Sequence, residues 1–341
     1  MLAYTIASFA DKQLELGAVL LAYYHYGSLR ALLISGLAFQ MTKVFTFLVR
    51  IPPSPCLAVA ATLAAATLLH AGRDSLPVFL LGIVVFTAAV SYLRAWTKHL
   101  GQQAPGRERG QKQARDVVRA CGFIFAPFFY PALVGALTVL ALAASARAMT
   151  SGTRRPFELR LRIVGGTEPA HVAMFVHHVH YFAYSHLVPV VFAVTFGLLP
   201  AWQGLVFYLG WIGYDLYDFV KVRASWFRFF LGHFITALGI LTLFWTSSPS
   251  LAAIGWLVTG VGGGTYVMLR RLTRSSDPEP GENLELAEHY GHVAGVLVLI
   301  ALVMLSVTFA GIGAVASVLA LMSPLLALAM RARPGRRLVT A

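Results

Sequence analysis

The sequence predicts an all-α, polytopic integral membrane protein with about twelve transmembrane helices. Hydrophobic residues make up 58% of the 341-residue chain and charged residues only 12%. Long apolar runs recur from one end to the other, and short basic clusters separate them. A soluble domain of this length needs far more charge on its surface, whereas an apolar run of about 20 residues is long enough to cross a bilayer as a helix.

Twelve apolar segments can be placed along the chain. They lie at 4–24, 28–49, 55–71, 75–95, 116–132, 133–148, 171–197, 202–220, 227–246, 249–269, 288–309 and 312–330. An alternative joins the fifth and sixth segments into one long helix. The lipid bilayer is therefore the first partner that the sequence predicts.

The basic residues predict the orientation. All 27 Lys and Arg residues except Lys12, Arg30, Lys43 and Arg73 fall in alternate loops or in the adjoining helix ends. Loops rich in Lys and Arg stay on the cytoplasmic side because these residues resist translocation. We therefore expect both termini in the cytoplasm and the chain in the plasma (inner) membrane. The net charge of +13 is spread over many loops, which argues against a nucleic-acid surface.

A basic loop near the middle predicts the domain organisation. We expect an N-terminal six-helix bundle at 1–148, a cytoplasmic linker at 149–170, a C-terminal six-helix bundle at 171–331 and a basic tail at 332–341. The sequence does not identify a protein partner.

Parts of the second half resemble the major facilitator superfamily. GLVFYLGWIGYDLYDFVKVR is similar to that family's helix eight and signature loop, which Gly213, Asp218 and Arg223 approximate. AAIGWLVTGVGGGTYVMLRRL is similar to its glycine-rich helix ten, and EHYGHVAGVLVLIALVML to its helix eleven. The loop VRIPPSPC departs from the pattern, since it carries Arg50 but no Asp. The resemblance implies movement of a solute through a central cavity by rocking of two halves, although a fold alone does not establish a function.

The seventh segment carries a histidine cluster, HVAMFVHHVHYFAYSH, at 171–186. On a helical wheel of about 100° per residue, one arc of about 140° holds six of its polar or sulfur-containing residues. These are His171, Met174, His177, His178, Tyr181 and Tyr184, with His180 just beyond the arc. Ionisable residues in a membrane helix usually face the bundle interior or a water-filled cavity. Alternatively, each histidine bonds a neighbouring group in a packed interior.

A second cluster, ELAEHYGH, begins the eleventh segment. Its i,i+3 and i,i+4 spacings place carboxylates and imidazoles on one helix face, although a solvated helix start produces the same letters. The predicted topology brings both clusters to a similar depth, together with the end of segment eight and the start of segment nine. The predicted ion or substrate site comprises His171, Met174, His177, His178, His180, Asp215, Asp218, His233, Glu288, His289 and His292.

This residue set favours a metal ion. Imidazole is a common ligand of copper, iron and zinc, and we expect His177, His178, His289 and His292 to be the metal ligands. Met174 with His178 adds a thioether, which suits copper and resembles the Met/His spacing of copper-importing facilitators. The alternatives are a proton relay, a redox protein that holds haem or iron through the same histidines, and a non-transporting accessory protein. Haem fits less well, because it needs two imidazoles facing each other across helices.

A further polar site lies in the second segment. Lys43 is an intramembrane cation near Gln40, and it either anchors a substrate or extends towards the interface. Asp11 and Glu15 in the first segment can offset its charge. The sequence contains no evident nucleophile–base motif, so we expect a transporter of a small solute or ion, with no catalytic residues, rather than an enzyme.

Overall fold

The computed structural model describes residues 2–50, 55–102, 108–149, 158–159, 168–219, 223–273 and 280–332. Within these ranges the chain is helical apart from turns and one antiparallel pair, β1 (Val49–Arg50) with β2 (Glu158–Leu159). Most of the predicted linker and the tail from 333 onwards lie outside the described residues.

The helices follow the predicted apolar segments. Before the linker they are α1 (Leu2–Lys12), α2 (Val19–Tyr26), α3 (Leu29–Leu48), α4 (Pro55–Ala71), α5 (Leu76–Gln102), α6 (Glu108–Ile124) and α7 (Pro131–Met149), with a π-helix at Gln13–Ala18 between α1 and α2. After it they are α8 (Pro169–Phe182), α9 (Val188–Phe196), α10 (Pro200–Phe219), α11 (Trp226–Trp245), α12 (Pro249–Gly263), α13 (Leu269–Leu272), α14 (Pro280–Met304) and α15 (Phe309–Ala332).

Eight helical stretches among the described residues are long and apolar enough to cross a membrane. They are Leu29–Leu48, Cys56–Asp74, Leu76–Arg94, Pro169–Phe196, Trp226–Trp245, Pro249–Leu272, Asn283–Met304 and Phe309–Ala332. A shorter apolar helix covers Pro131–Ala143. The predicted segments at 4–24, 116–132 and 202–220 are also largely helical but fall outside this set.

Prolines interrupt two stretches of the predicted pattern. A 3₁₀ turn at Ala126–Phe128 separates α6 from α7, so segments five and six are not one long helix. Pro127 and Pro131 have no N–H to donate, which prevents a continuous hydrogen-bond ladder there. In segment seven, a 3₁₀ turn at Ser185–Leu187 separates α8 from α9. Pro189 lies four residues after Ser185, where its ring would clash with the Ser185 carbonyl in an α-helix.

The chain forms two compact units. The first contains Met1–Arg162 and Phe192–Tyr208, and the second contains Ile163–Val191 and Leu209–Ala341. Two contacts join the segment Phe192–Tyr208 to the rest of the first unit. A Cβ at Gly204 would lie 2.3 Å from the Phe123 carbonyl oxygen, and the Gln203 amide donates to the Tyr24 hydroxyl.

Glycines allow the helices of the second unit to approach closely. A Cβ at Gly291 would lie 2.5 Å from the carbonyl oxygen of Phe175, and one at Gly295 would lie 2.6 Å from that of Val179. This small-xxx-small spacing lets α14 contact the backbone of α8. On another face of α8, Ser323 of α15 donates to the Ala173 carbonyl over 2.8 Å. These contacts fix the helix that carries the histidines.

Candidate functional site

His177 and His233 form a buried pair between α8 and α11. His177 Nδ1 lies 2.9 Å from His233 Nε2, and His233 Nδ1 lies 2.9 Å from the Phe229 carbonyl oxygen. A carbonyl only accepts, so Nδ1 of His233 carries the proton. In the neutral ring, Nε2 then accepts from His177 Nδ1–H. This leaves a lone pair on His177 Nε2, which has no hydrogen-bond partner among the described residues.

His180 completes a group of three imidazoles. Its ring centroid lies 4.9 Å from that of His177 and 5.6 Å from that of His233, and all three side chains are completely buried. Its Nε2 also has no hydrogen-bond partner within the described part of the chain. One ligand atom from each ring lies within 4.8 Å of the others. We call His177, His180 and His233 the three-histidine group.

His178 belongs to a second group of possible metal ligands. His178 Nδ1 lies 3.1 Å from His292 Nε2, and that nitrogen lies 3.8 Å from Glu288 Oε1. One ligand atom from each of the three residues lies within 4.8 Å of the others. We call His178, Glu288 and His292 the mixed group, because it combines two imidazoles with a carboxylate.

Aromatic residues outside the predicted site surround both groups. The Tyr266 ring stacks on His177, with centroids 5.0 Å apart and planes inclined by 6°, and it meets His178 edge-on at 5.6 Å. The ring centroid of Tyr214 lies 5.8 Å from that of Tyr266, and the ring centroid of Phe182 lies 4.3 Å from that of His292. Tyr266 follows the run Gly262–Gly264 in the segment that resembles a glycine-rich helix ten.

The remaining predicted site residues lie outside both groups. Met174 lies in an apolar cluster with Phe229 and Leu284. His171 is buried near the start of α8, while His289 contacts the ring of His292 at 5.7 Å. The predicted metal set is therefore divided, with His177 in one group and His178 and His292 in the other.

Four further predicted residues have other positions. Tyr181 and Tyr184 are buried against Trp256, with ring centroids 6.3 and 5.9 Å away. Asp215 lies on α10 and belongs to neither of the groups. Asp218 lies near the end of α10, and its side chain falls outside the description.

The first unit holds the predicted Lys43 site. Lys43 Nζ lies 3.5 Å from Asp11 Oδ1, so Asp11 offsets its charge as expected from the sequence. Gln40 is buried, and neither its amide nitrogen nor its amide oxygen has a hydrogen-bond partner among the described residues.

Comparison of the whole structure with solved structures identifies the fold. A POT family transporter, PepTSo, superposes with a TM-score of 0.66 at 11% identity, covering 97% of each chain. A bacterial homologue of the iron transporter ferroportin superposes with a TM-score of 0.61 at 15% identity, covering 97% of this chain and 98% of that one. The human organic anion transporter MFSD10 gives 0.63 at 13% identity, covering 96% and 97%.

The chain has a major-facilitator-like fold. Together with its apolar helices, this makes it a multi-pass integral membrane protein. No protein-family model matches the sequence, and no curated protein matches it significantly. Since one fold serves transporters of different cargo, the fold does not identify what this chain binds.

Proposed function

We propose that this protein is a secondary transporter of a transition-metal ion and that the three-histidine group binds the ion. The observation that carries the proposal is the convergence of one nitrogen each from His177, His180 and His233 within 4.8 Å, in a fully buried position. The wider fold supports the transporter class, because solved transporters share it over almost their whole length.

Hydrogen bonding inside the group supports ion binding over simple packing. The Nε2 atoms of His177 and His180 are buried without a partner in the described structure, and a buried polar atom left unpaired costs about 1–3 kcal/mol. A cation held by imidazole nitrogens would remove that cost.

The ligand types indicate which ions are carried. Imidazole suits zinc, copper and iron, whereas calcium and magnesium prefer oxygen ligands. Because Met174 packs in an apolar cluster, the geometry gives no reason to prefer copper over zinc or iron(II). The mixed group would supply a second position for the same cargo, next to the first along α8.

The two close histidine pairs do not fit a bis-imidazole haem. Metal–nitrogen bonds of about 2 Å place opposite axial nitrogens about 4 Å apart, with the macrocycle between them. The paired nitrogens lie only 2.9 and 3.1 Å apart. These direct contacts support a second candidate function, a proton-coupled carrier whose histidines bind no metal.

The proposal includes the predicted topology. The protein would cross the membrane twelve times in two sets of six helices, with both termini in the cytoplasm and the chain in the inner membrane. The alternation of basic loops supports this arrangement.

Metal binding and uptake together test the proposal. Purified, metal-depleted protein would be titrated with Zn²⁺ and with Co²⁺, whose absorption spectrum reports its ligands, and Zn²⁺ uptake would be measured in proteoliposomes. We expect His177→Ala and His233→Ala to weaken binding by at least about 10-fold, since even outer-shell changes do so. His70→Ala, at an exposed histidine of α4, is the matched control. If the wild type binds neither ion, and its transport of a solute requires a proton gradient, the result would favour the proton-coupled carrier.

A further inference from the structure

A cluster of buried charges lies in the first unit. Asp11 is 1% exposed. Its Oδ2 lies 2.8 Å from Arg94 Nη1, its Oδ1 lies 3.5 Å from Lys43 Nζ, and Lys12 Nζ lies 3.6 Å from the carboxylate. Lys12 also pairs with Glu15. We call these five residues, which come from α1, the π-helix, α3 and α5, the charge cluster.

Basic groups outnumber acidic groups in the charge cluster. Among the described side chains that form it, three are basic and two are acidic. The side chains of Lys12 and Lys43 are 15% and 12% exposed. Ionisable residues within membrane segments are expensive and usually functional, and replacing a buried ion pair by apolar residues is often neutral or stabilising. Stability alone is therefore a weak explanation for the cluster.

Lys43 has hydrogen-bonding capacity beyond its contact with Asp11. An ammonium group carries three N–H donors, and the 3.5 Å contact with Asp11 uses one at most. Arg94, by contrast, makes a short 2.8 Å bond to the same carboxylate. Lys43 is thus the cation of the cluster that is best able to accept another anionic partner.

Gln40 provides an independent observation. It precedes Lys43 by three residues on α3, so the two residues lie on the same side of the helix. Gln40 is 1% exposed, and neither amide atom has a hydrogen-bond partner in the described structure. Its buried N–H groups therefore lack an acceptor. The cluster also adjoins the π-helix at Gln13–Ala18, a rare conformation that is frequent at functional sites.

We propose that the charge cluster binds a small oxyanion, a carboxylate or a phosphate. The ammonium group of Lys43 bonds the anion, and the Gln40 amide donates a second hydrogen bond. The anion thereby provides the buried N–H groups of the Gln40 amide with an acceptor. This site lies in the first unit and needs no metal, so it stands or falls independently of the three-histidine group.

Anion-dependent thermal stability tests this site. Purified protein with a metal chelator would be unfolded in the presence of increasing lactate or inorganic phosphate, with chloride holding the ionic strength constant. A ligand that binds only the folded state raises the unfolding temperature in a saturable way. We expect that behaviour with at least one of the two anions, and the anion that acts distinguishes the carboxylate source from the phosphate source.

Three variants make the test specific. Lys43→Gln should weaken anion binding at least 10-fold, while Lys43→Arg should retain most of it. Arg119→Gln removes a cation that pairs with Asp116 in the same unit and should leave binding unchanged. Gln40→Leu keeps every charge, so it should fold at least as well as the wild type without anion and yet bind the anion more weakly.

Two results would overturn the proposal. If neither anion stabilises the wild type more than chloride does, the cluster is an ion network that supports packing only. If Lys43→Gln or, where that variant does not fold, Gln40→Leu responds to the anion as the wild type does, the anion binds elsewhere.

Discussion

The ring of Tyr266 lies almost parallel to that of His177, with the two planes inclined by 6° and the centroids 5.0 Å apart. Stacking on one face holds the plane of the His177 ring, as supporting contacts do for metal ligands. Tyr266 therefore connects the 3₁₀ turn at Gly264–Met268, which follows α12, to the three-histidine group.

The first prediction concerns this stack. Tyr266→Ala should lower Zn²⁺ affinity about 10-fold, the lower end of the range for outer-shell changes, because the imidazole of His177 loses its support. Tyr266→Phe keeps the ring and should bind nearly as the wild type does. Titration of both variants provides the measurement. Equal affinities for Tyr266→Ala and wild type would show that the stack does not position His177.

A second prediction concerns the contact between α8 and α14. In Gly291→Ala, the added Cβ would lie 2.5 Å from the Phe175 carbonyl oxygen and 2.7 Å from His178 Cβ. The two helices must separate, which moves His292 away from His178. We expect a loss of about 1–3 kcal/mol of unfolding free energy, typical of overpacking, together with weaker binding at the mixed group.

The measurements are thermal unfolding and the number of metal ions bound per protein. Ala301→Leu adds bulk at an exposed position of the same helix and should change neither. A Gly291→Ala protein with wild-type stability and stoichiometry would contradict the close packing of these helices.

Protonation of the histidine pair provides a third prediction. In metal-free protein, His233 should carry its proton on Nδ1, because this atom faces the Phe229 carbonyl oxygen. His177 should also carry its proton on Nδ1 and leave Nε2 bare. ¹⁵N spectra of histidine-labelled protein, assigned with single His→Ala variants, distinguish the two tautomers. Finding the proton of His233 on Nε2 would reverse the direction of the His177–His233 hydrogen bond.

Asp11 gives a fourth prediction. Asp11→Asn leaves Lys43 and Arg94 without a carboxylate partner at this position and should destabilise the protein by about 2–3 kcal/mol. Loss of one partner of a buried pair costs about 3–5 kcal/mol, and the 40% exposure of the Arg94 side chain reduces that cost. The double variant Asp11→Asn/Lys43→Gln should recover part of the loss. Additive losses in thermal unfolding would argue against coupling between the two side chains.

Single cysteines test the orientation. In a background of Cys56→Ser and Cys121→Ser, a cysteine at Ser247 should react with an impermeant thiol reagent in intact cells. One at Thr273 should react only after the membrane is opened. Ser247 lies in a turn without basic residues, whereas Thr273 follows Arg270 and Arg271, and basic loops stay on the cytoplasmic side. The opposite pattern of labelling would reverse the predicted topology.

Sequence patterns anticipated the helical segments and some of the pairings in the site. The sequence predicts that the seventh and eleventh segments carry their histidines at a similar depth, and His178 lies 3.1 Å from His292 in the structure. The spacing of apolar residues predicts where the helices lie, and the alternation of basic loops predicts their orientation.

The division of the histidines into two groups did not follow from the sequence. His177 and His178 are adjacent on α8, but their rings point to different neighbours, His233 and His292. Side-chain direction and helix packing decide this, and neither is contained in spacing alone. For the same reason, a helical wheel could not separate Met174, which packs among apolar residues, from the histidines that share its arc.

The segment Phe192–Tyr208 belongs to the first unit, although the residues just before it in the chain, Ile163–Val191, belong to the second. Cleavage by a protease within 149–170, or expression of the chain as two fragments divided there, would therefore not produce two complete units. The amino-terminal fragment would lack the helical segment in which Gly204 packs against the Phe123 carbonyl and Gln203 bonds Tyr24. The amino-terminal fragment expressed alone should accordingly be less stable than the same residues in the whole chain, because residues 192–208 of its unit are encoded in the other fragment.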